Sequence, residues 1–143
     1  APILPGEWVH VVGSVDATST YFYKNGVLKD SDVYTASVTP VNTTTPFRMG
    51  SIAIDTLSDP YYFKGFIRDV RVWNRKLTDG EVTSLYAGTD VTSGLVAKWL
   101  LNEKGGSTVI DSVSGLNGTA YGAIPSDGRQ PVTRSASGTR TAA

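Results

Sequence analysis

The chain has 143 residues, the size of one domain that buries roughly two-thirds of its unfolded surface, and its 13 basic and 13 acidic residues cancel to zero formal net charge. With no summed field and no block of like charges, nucleic acid and anionic lipid are disfavoured as partners. No apolar run approaches the roughly 18 residues that span a bilayer, Ala1-Pro-Ile-Leu-Pro5 lacks the basic and apolar regions of a signal peptide, and the absence of cysteine removes a disulfide framework and a thiolate metal site without identifying a compartment.

Fifteen glycines and seven prolines punctuate short runs rich in Val, Thr, Tyr and Phe, a composition that points to β structure. Trp8-Val-His-Val-Val-Gly-Ser-Val15 reads as a strand, Asp16-Ala-Thr-Ser19 as a turn, and Thr20-Tyr-Phe-Tyr-Lys24 as the returning strand. Asn25-Gly26 then predicts a type I′ hairpin, whose two central residues need positive φ. Tyr21 and Tyr23 alternate with Phe22, so at least one face of that strand belongs to the core. Further short strands are predicted at Val33 to Val38, Phe47 to Ile54, Tyr61 to Val72 and Leu95 to Leu101, and strands this closely spaced suggest a sandwich. One segment departs from the pattern. Thr78-Asp-Gly-Glu81 is a capping box, Val82, Leu85 and Tyr86 follow at the spacing of one apolar helix face, and Gly88 is placed to end the helix in a left-handed conformation.

Several motifs, in order, resemble the laminin-G-like domains of the concanavalin A-like lectin/glucanase superfamily. Trp8-Val-His-Val-Val-Gly-Ser-Val-Asp16 is similar to that family's W-x-H-V-A-G-T-Y-D strand, Tyr21-Phe-Tyr-Lys-Asn-Gly-Val27 to its L-Y-V-N-G hairpin, and Phe47-Arg-Met-Gly50 to its R-I-G strand. The best match is Phe63-x-Gly65-x-Ile67-x-Asp69-Val-Arg-Val-Trp-Asn-Arg75, continued by Leu77, Glu81, Val82 and Tyr86. The resemblance implies an all-β fold, an antiparallel β-sandwich of jelly-roll type with one short helix near 78–87.

Gly94-Leu-Val-Ala-Lys-Trp99, Asn102-Glu-Lys-Gly105 and Val109-Ile-Asp-Ser-Val-Ser-Gly-Leu-Asn-Gly118 resemble the same family's opening segment, yet here they come last. The family's next strands, with F-D-G and A-W-V signatures, are missing. A cut from a tandem array, a rearranged domain with a reduced sheet, and a sheet completed by neighbouring copies each account for this order. The expected division is a jelly-roll domain over 1–124 and a low-complexity tail over 125–143.

Hydrolases of this superfamily set carboxylates on one strand as E-x-D-x-x-E. No such triplet occurs here, and the glutamates are Glu7, Glu81 and Glu103. Glu81 is accounted for by its cap, Glu103 with Asp111 reads as a solvated loop pair, and the lone His10 has no nucleophile beside it in a motif. A non-enzymatic protein is expected. Calcium is the one cofactor the resemblance suggests, with Asp111, Asn117 and carbonyls near Gly115 as candidate ligands and Asp55 with Asp59 as a second set, although Asp and Asn in such loops also form backbone turns. For sugar binding, Tyr61, Tyr62 and Tyr34 are candidate stacking platforms, whereas Trp8, Trp73 and Trp99 read as packing residues.

The tail from Arg134 to Ala143 is small, polar and without periodicity, so an ordered tail needs a holder outside itself, most economically another subunit. Thr133, Arg134, Thr139 and Arg140 are its candidate assembly residues, suited to strand addition. Two functions follow. One is a non-enzymatic structural or adhesive subunit of an extracellular, cell-surface or virion-surface assembly, a homo-oligomer or larger array. The other is a carbohydrate-binding module of a secreted or surface protein.

Overall fold

The computed structural model describes residues 4–34, 46–51 and 62–121. Its elements in chain order are β1 (Val11–Val15), β2 (Ser19–Lys24), β3 (Val27–Val33), β4 (Val70–Trp73), α1 (Asp79–Tyr86), β5 (Leu95–Trp99), β6 (Thr108–Val109) and β7 (Gly118–Thr119). Among the described residues they form three antiparallel sheets, β1-β2-β3, β4-β5 and β6-β7, beside one short helix. The fold is all-β, as expected.

The hairpin between β2 and β3 turns on Asn25 and Gly26, both at positive φ (52° and 77°), which is the conformation that the twist of the flanking strands requires. A Cβ on Gly26 would also sit 3.0 Å from the Cβ of Tyr86, so the turn presses directly onto the helix. Because β1 pairs with β2 in unbroken register, with Val12 opposite Tyr23 and Gly13 opposite Phe22, alternate residues face opposite ways. Tyr23 is buried on the inner face with Val12 and Tyr21 packed around it, whereas Val11, Val15 and Phe22 are exposed on the outer face.

The capping box forms as the sequence predicts. Thr78 Oγ1 accepts from the Glu81 amide (3.2 Å) and the Glu81 carboxylate accepts from the Thr78 amide (2.8 Å). At the other end Gly88 adopts φ 88°, and the amides of Gly88 and Thr89 donate to the carbonyls of Leu85 and Ser84, the paired bonds of a Schellman motif. Val82 is the buried residue of the helix, and with Leu77 and Tyr23 it makes the core that joins α1 to the first sheet. Trp73, Leu85 and Val91 pack around this cluster.

Several strand bounds differ from expectation. The first strand begins at Val11 rather than Trp8, since residues 8–10 are outside any ladder. The strand after the hairpin turn extends from Val27 to Val33, because pairing with β2 recruits the polar run Lys29-Asp-Ser-Asp32 as an exposed edge; the further strand expected at Val33 to Val38 lies, from residue 35 onward, outside the described residues. Of Phe47 to Ile54 and Tyr61 to Val72, the described parts contribute only the bridge between Ser51 and Tyr62 and the short β4. Asp69 takes a left-handed φ of 53°, which breaks the extended run immediately before β4. In the same way β5 stops at Trp99, before Leu101 at φ 55°.

The late segment pairs directly with the best-matching motif: β5 lies antiparallel to β4, with Val70 opposite Trp99 and Val72 opposite Ala97. Trp99 is buried beneath Phe47, whose ring stacks on it at 5.7 Å between centroids, and its Nε1 donates to the Leu116 carbonyl. Trp73 is held in the same manner, its Nε1 donating to Val91. The packing roles expected of these two rings are the ones they take. Trp8 is only half-buried, beside Phe66 and under the Arg68 guanidinium at 4.8 Å.

Candidate functional site

The loop after β6 brings together Asp111 and Asn117, the candidate calcium ligands. Asp111 is buried, at 4% exposure, and bridges to Trp99 at the edge of β5. Its Oδ1 accepts from the amides of Lys98 and Val113, and its Oδ2 from the amides of Ser114 and Leu116 and from the Ser114 hydroxyl at 2.6 Å. Asn117 faces back into the same turn, where its Oδ1 accepts from the Asp111 amide at 3.0 Å. Burial by itself would push the Asp111 carboxyl up, but these donors outweigh it and hold it well below the usual carboxylate range. The arrangement does not fit a cation. Calcium wants six to eight oxygens, and the lone pairs of this carboxylate are spent on N–H and O–H donors of its own loop. Among the described residues no group of three or more His, Asp or Glu side chains converges on one point. The second candidate set, Asp55 with Asp59, lies outside the described residues.

Several other carboxylates are engaged in the same fashion. Glu103 accepts from the Ile110 amide at 2.9 Å, so the Glu103 and Asp111 pair serves to fold one loop. Asp16 accepts from the amides of Thr18 and Ser19, from the Tyr21 hydroxyl and from Lys76 Nζ, which also stands 3.4 Å above the Tyr21 ring. The Thr18 amide foremost, then Lys76, keep Asp16 ionised far below the ordinary range. Glu81 receives Arg75 in a two-pronged pair (2.7 and 2.8 Å) as well as its cap, and is held down at about 2 by Arg75 first and the Thr78 amide second. Arg71 spans Asp69 and Asp90, and Asp90 also takes Lys98, which ties β4 and β5 to the loop beyond the helix. The Thr78–Glu81 cap was expected from sequence, whereas the ion pairs of Asp16, Arg71, Arg75 and Asp90 were not; the i, i+2 spacing of Asp69 and Arg71 was the available signal.

His10 lies against Tyr86, with ring centroids 6.0 Å apart, and its Nδ1 is buried without a hydrogen-bond partner. Burial chiefly, with the nearby Arg71 charge, lowers its pKa. Its main-chain amide donates to the Asn25 side chain, so the residue fastens the strand entry to the hairpin.

The candidate sugar platforms fall on different elements. Tyr62 bridges to Ser51 and is 66% exposed, with the exposed Phe63 next in sequence. Tyr34 is half-buried at the far end of β3, where its amide donates to Thr18. Tyr61 lies outside the described residues, as do the tail residues Thr133, Arg134, Thr139 and Arg140.

The feature that sequence reasoning missed is the outer face of the first sheet. Val11, Val15, Phe22 and Val27 stand exposed there around Gly13, over whose Cβ position nothing lies within 4 Å. Alternation with Tyr21 and Tyr23 was the signal: if those two rings point inward, Phe22 and its cross-strand neighbours point out.

A family model described as "Concanavalin A-like lectin/glucanases superfamily" matches residues 1–83. No curated protein matches the chain. Among solved structures, the crystal structure of an S-layer domain-containing protein (residues 221–444) from Clostridium thermocellum ATCC 27405 is similar at 25% identity and a TM-score of 0.49. That overlap covers 60% of this chain and 42% of the other.

Proposed function

The chain belongs to the concanavalin A-like lectin/glucanase superfamily, and from that premise we propose that it is a non-enzymatic structural or adhesive subunit of an extracellular, cell-surface or virion-surface assembly. The observation that carries the reading is the first sheet itself. One face packs on Leu77 and Val82, while the other presents Val11, Val15, Phe22 and Val27 with no described element against them. Sandwich folds gain their stability by covering such a face, and an uncovered one is the ordinary mark of an interaction surface. The carboxylates support the non-enzymatic part, since Glu81, Glu103 and Asp111 each serve the turn or cap that carries them. Light scattering and sedimentation across a range of concentrations test the proposal. Mass above that of one chain is expected, and a monomer at every concentration overturns it.

Tyr62 favours a second reading, glycan binding. An aromatic ring two-thirds exposed has the form of a stacking platform for the apolar face of a pyranose. A glycan panel screened with and without calcium, on the native protein and on Tyr62→Ala, checks it. Loss of binding in the variant supports this reading, and an empty panel sinks it.

A further inference from the structure

The two edges of the first sheet are chemically unlike. β3 carries Lys29, Asp30 and Asp32 and is irregular in register where Phe22 gives way to Tyr23, and charge and bulging are the devices by which an edge resists pairing. β1 reads Val-Val-Gly-Ser-Val, with no charge, no proline and no break in register. Among the described residues it pairs with β2 alone.

The hydrogen-bond phase of β1 says which groups face its free side. The carbonyl of His10 accepts from Asn25, and the amide of Asp16 donates to Ser19, so His10 and Asp16 bond inward. Inward bonding alternates along an antiparallel pair, which assigns Val12 and Ser14 inward and turns the N–H and C=O groups of Val11, Gly13 and Val15 outward.

We propose that β1 pairs antiparallel with β1 of a second copy of this chain, about a two-fold axis at Gly13. This deepens the assembly reading above and rests on it. The register brings Val11 opposite Val15 of the second copy, Gly13 opposite Gly13, and Val15 opposite Val11. Each of these pairs has its main-chain groups facing out, so each can exchange both N–H···O bonds. A two-fold axis makes the contact isologous, and the outward-facing set Val11, Gly13 and Val15 is symmetric in type about the glycine. On the outer face the paired valines are both partly exposed, and Phe22 stands directly across from Gly13 in the sheet register. Room is available, because nothing lies within 4 Å of the Gly13 Cβ position, and zero net charge leaves no general repulsion between copies. Two five-residue strands bury less than the roughly 1,200 Å² of a stable interface, so Phe22 and the valines must share the contact.

The chain has no cysteine, so Gly13→Cys introduces a single thiol. In the proposed register its mate is the same residue of the second copy, with Cα atoms about 5.5 Å apart, inside disulfide range. Rapid oxidation to a covalent dimer is expected, with Val33→Cys on the β3 edge as the slow control. In a second set, Val11→Lys with Val15→Lys, and separately Val11→Glu with Val15→Glu, set like charges directly opposite each other. Each set alone should dissociate about tenfold or more readily than the native protein, and mixing the two should restore the dimer as a heterodimer. Both valines are exposed enough for these variants to fold if Gly13→Cys does not. An oligomer unchanged by the charges overturns the β1 assignment and leaves the assembly reading standing. A native protein that is monomeric at all concentrations overturns both.

Discussion

Val82→Ala tests the seam on which the fold depends. Val82 is fully buried and shares its cluster with Tyr23 of β2 and Leu77, so it is the point where α1 grips the first sheet. Removing two methyl groups forfeits about 1.6 kcal/mol of transfer free energy at about 0.8 kcal/mol per buried carbon. The cavity left behind brings the loss to about 2 kcal/mol, because the flanking rings cannot fully collapse into it. An unfolding entropy of about 2.1 cal/mol/K per residue over 143 residues gives about 0.3 kcal/mol/K, so the midpoint should fall by about 7 °C. Tyr23→Phe is the companion. It keeps the ring and removes the hydroxyl that donates to Asp79 at 2.7 Å; Asp79 is exposed and regains water, so the loss should be about 1 kcal/mol, or about 3 °C. Scanning calorimetry with near-ultraviolet circular dichroism reads both. A Val82→Ala midpoint within 2 °C of the native value would refute the view that this cluster joins helix to sheet.

Acid should weaken the helix start through Glu81, whose folded-state pKa is lowered to about 2: its contribution is complete above the ordinary carboxylate pKa near 4.5 and is lost as pH falls toward 2, so Glu81→Gln should flatten a melting-temperature profile over that window. His10 has the opposite charge type. Its lowered pKa means that the unfolded chain takes up a proton first, so stability present above pH 6.5 should decline as pH falls through the folded value, and His10→Gln should abolish that slope. Calcium should leave the midpoint of the native protein unchanged, whereas Asp111→Ala should lower it equally with and without calcium; a calcium-dependent rise in the native protein would show that the loop opens to ligate. Gly26→Ala should cost about 1 kcal/mol or more, since φ there is 77° and the new methyl meets Tyr86, and a neutral result in thermal melts would refute the close contact of hairpin and helix.

Local chemistry made some elements readable from sequence. Asn25-Gly26 and Thr78-x-x-Glu81 each dictate a backbone conformation by themselves, and both appear where expected. The hairpin turn announced the start of β3 but not its extent, because an exposed edge strand is polar: Lys29-Asp-Ser-Asp32 looks like a loop until β2 supplies its register. Asp69 was hidden for another reason, since no pattern in an otherwise extended run announces a left-handed residue. At the candidate site the identities of Asp111 and Asn117 were legible but their use was not. The Lys98 amide that seats Asp111 belongs to another strand, and only the fold brings it within 2.9 Å. The exposed outer face was illegible because whether a valine on a strand meets a second layer depends on elements elsewhere in the chain.

Chain order and strand neighbourhood are separable, and this protein makes use of that. The segment resembling the family's opening comes after the motif strand, yet β5 lies directly on β4, since an antiparallel ladder needs matched main-chain groups and buried faces rather than a particular connection. The link between them is α1 and a short loop, and that link is anchored from both sides: Arg75 to Glu81 before the helix body, Arg71 and Lys98 to Asp90 after it. Burial of Ala97 and Trp99 fixes which face of β5 turns inward. A late-arriving strand with its own anchors can therefore complete one side of the structure while supplying nothing to the other. The first sheet has its inner face closed by Leu77 and Val82, and among the described residues no further strand joins its β1 edge.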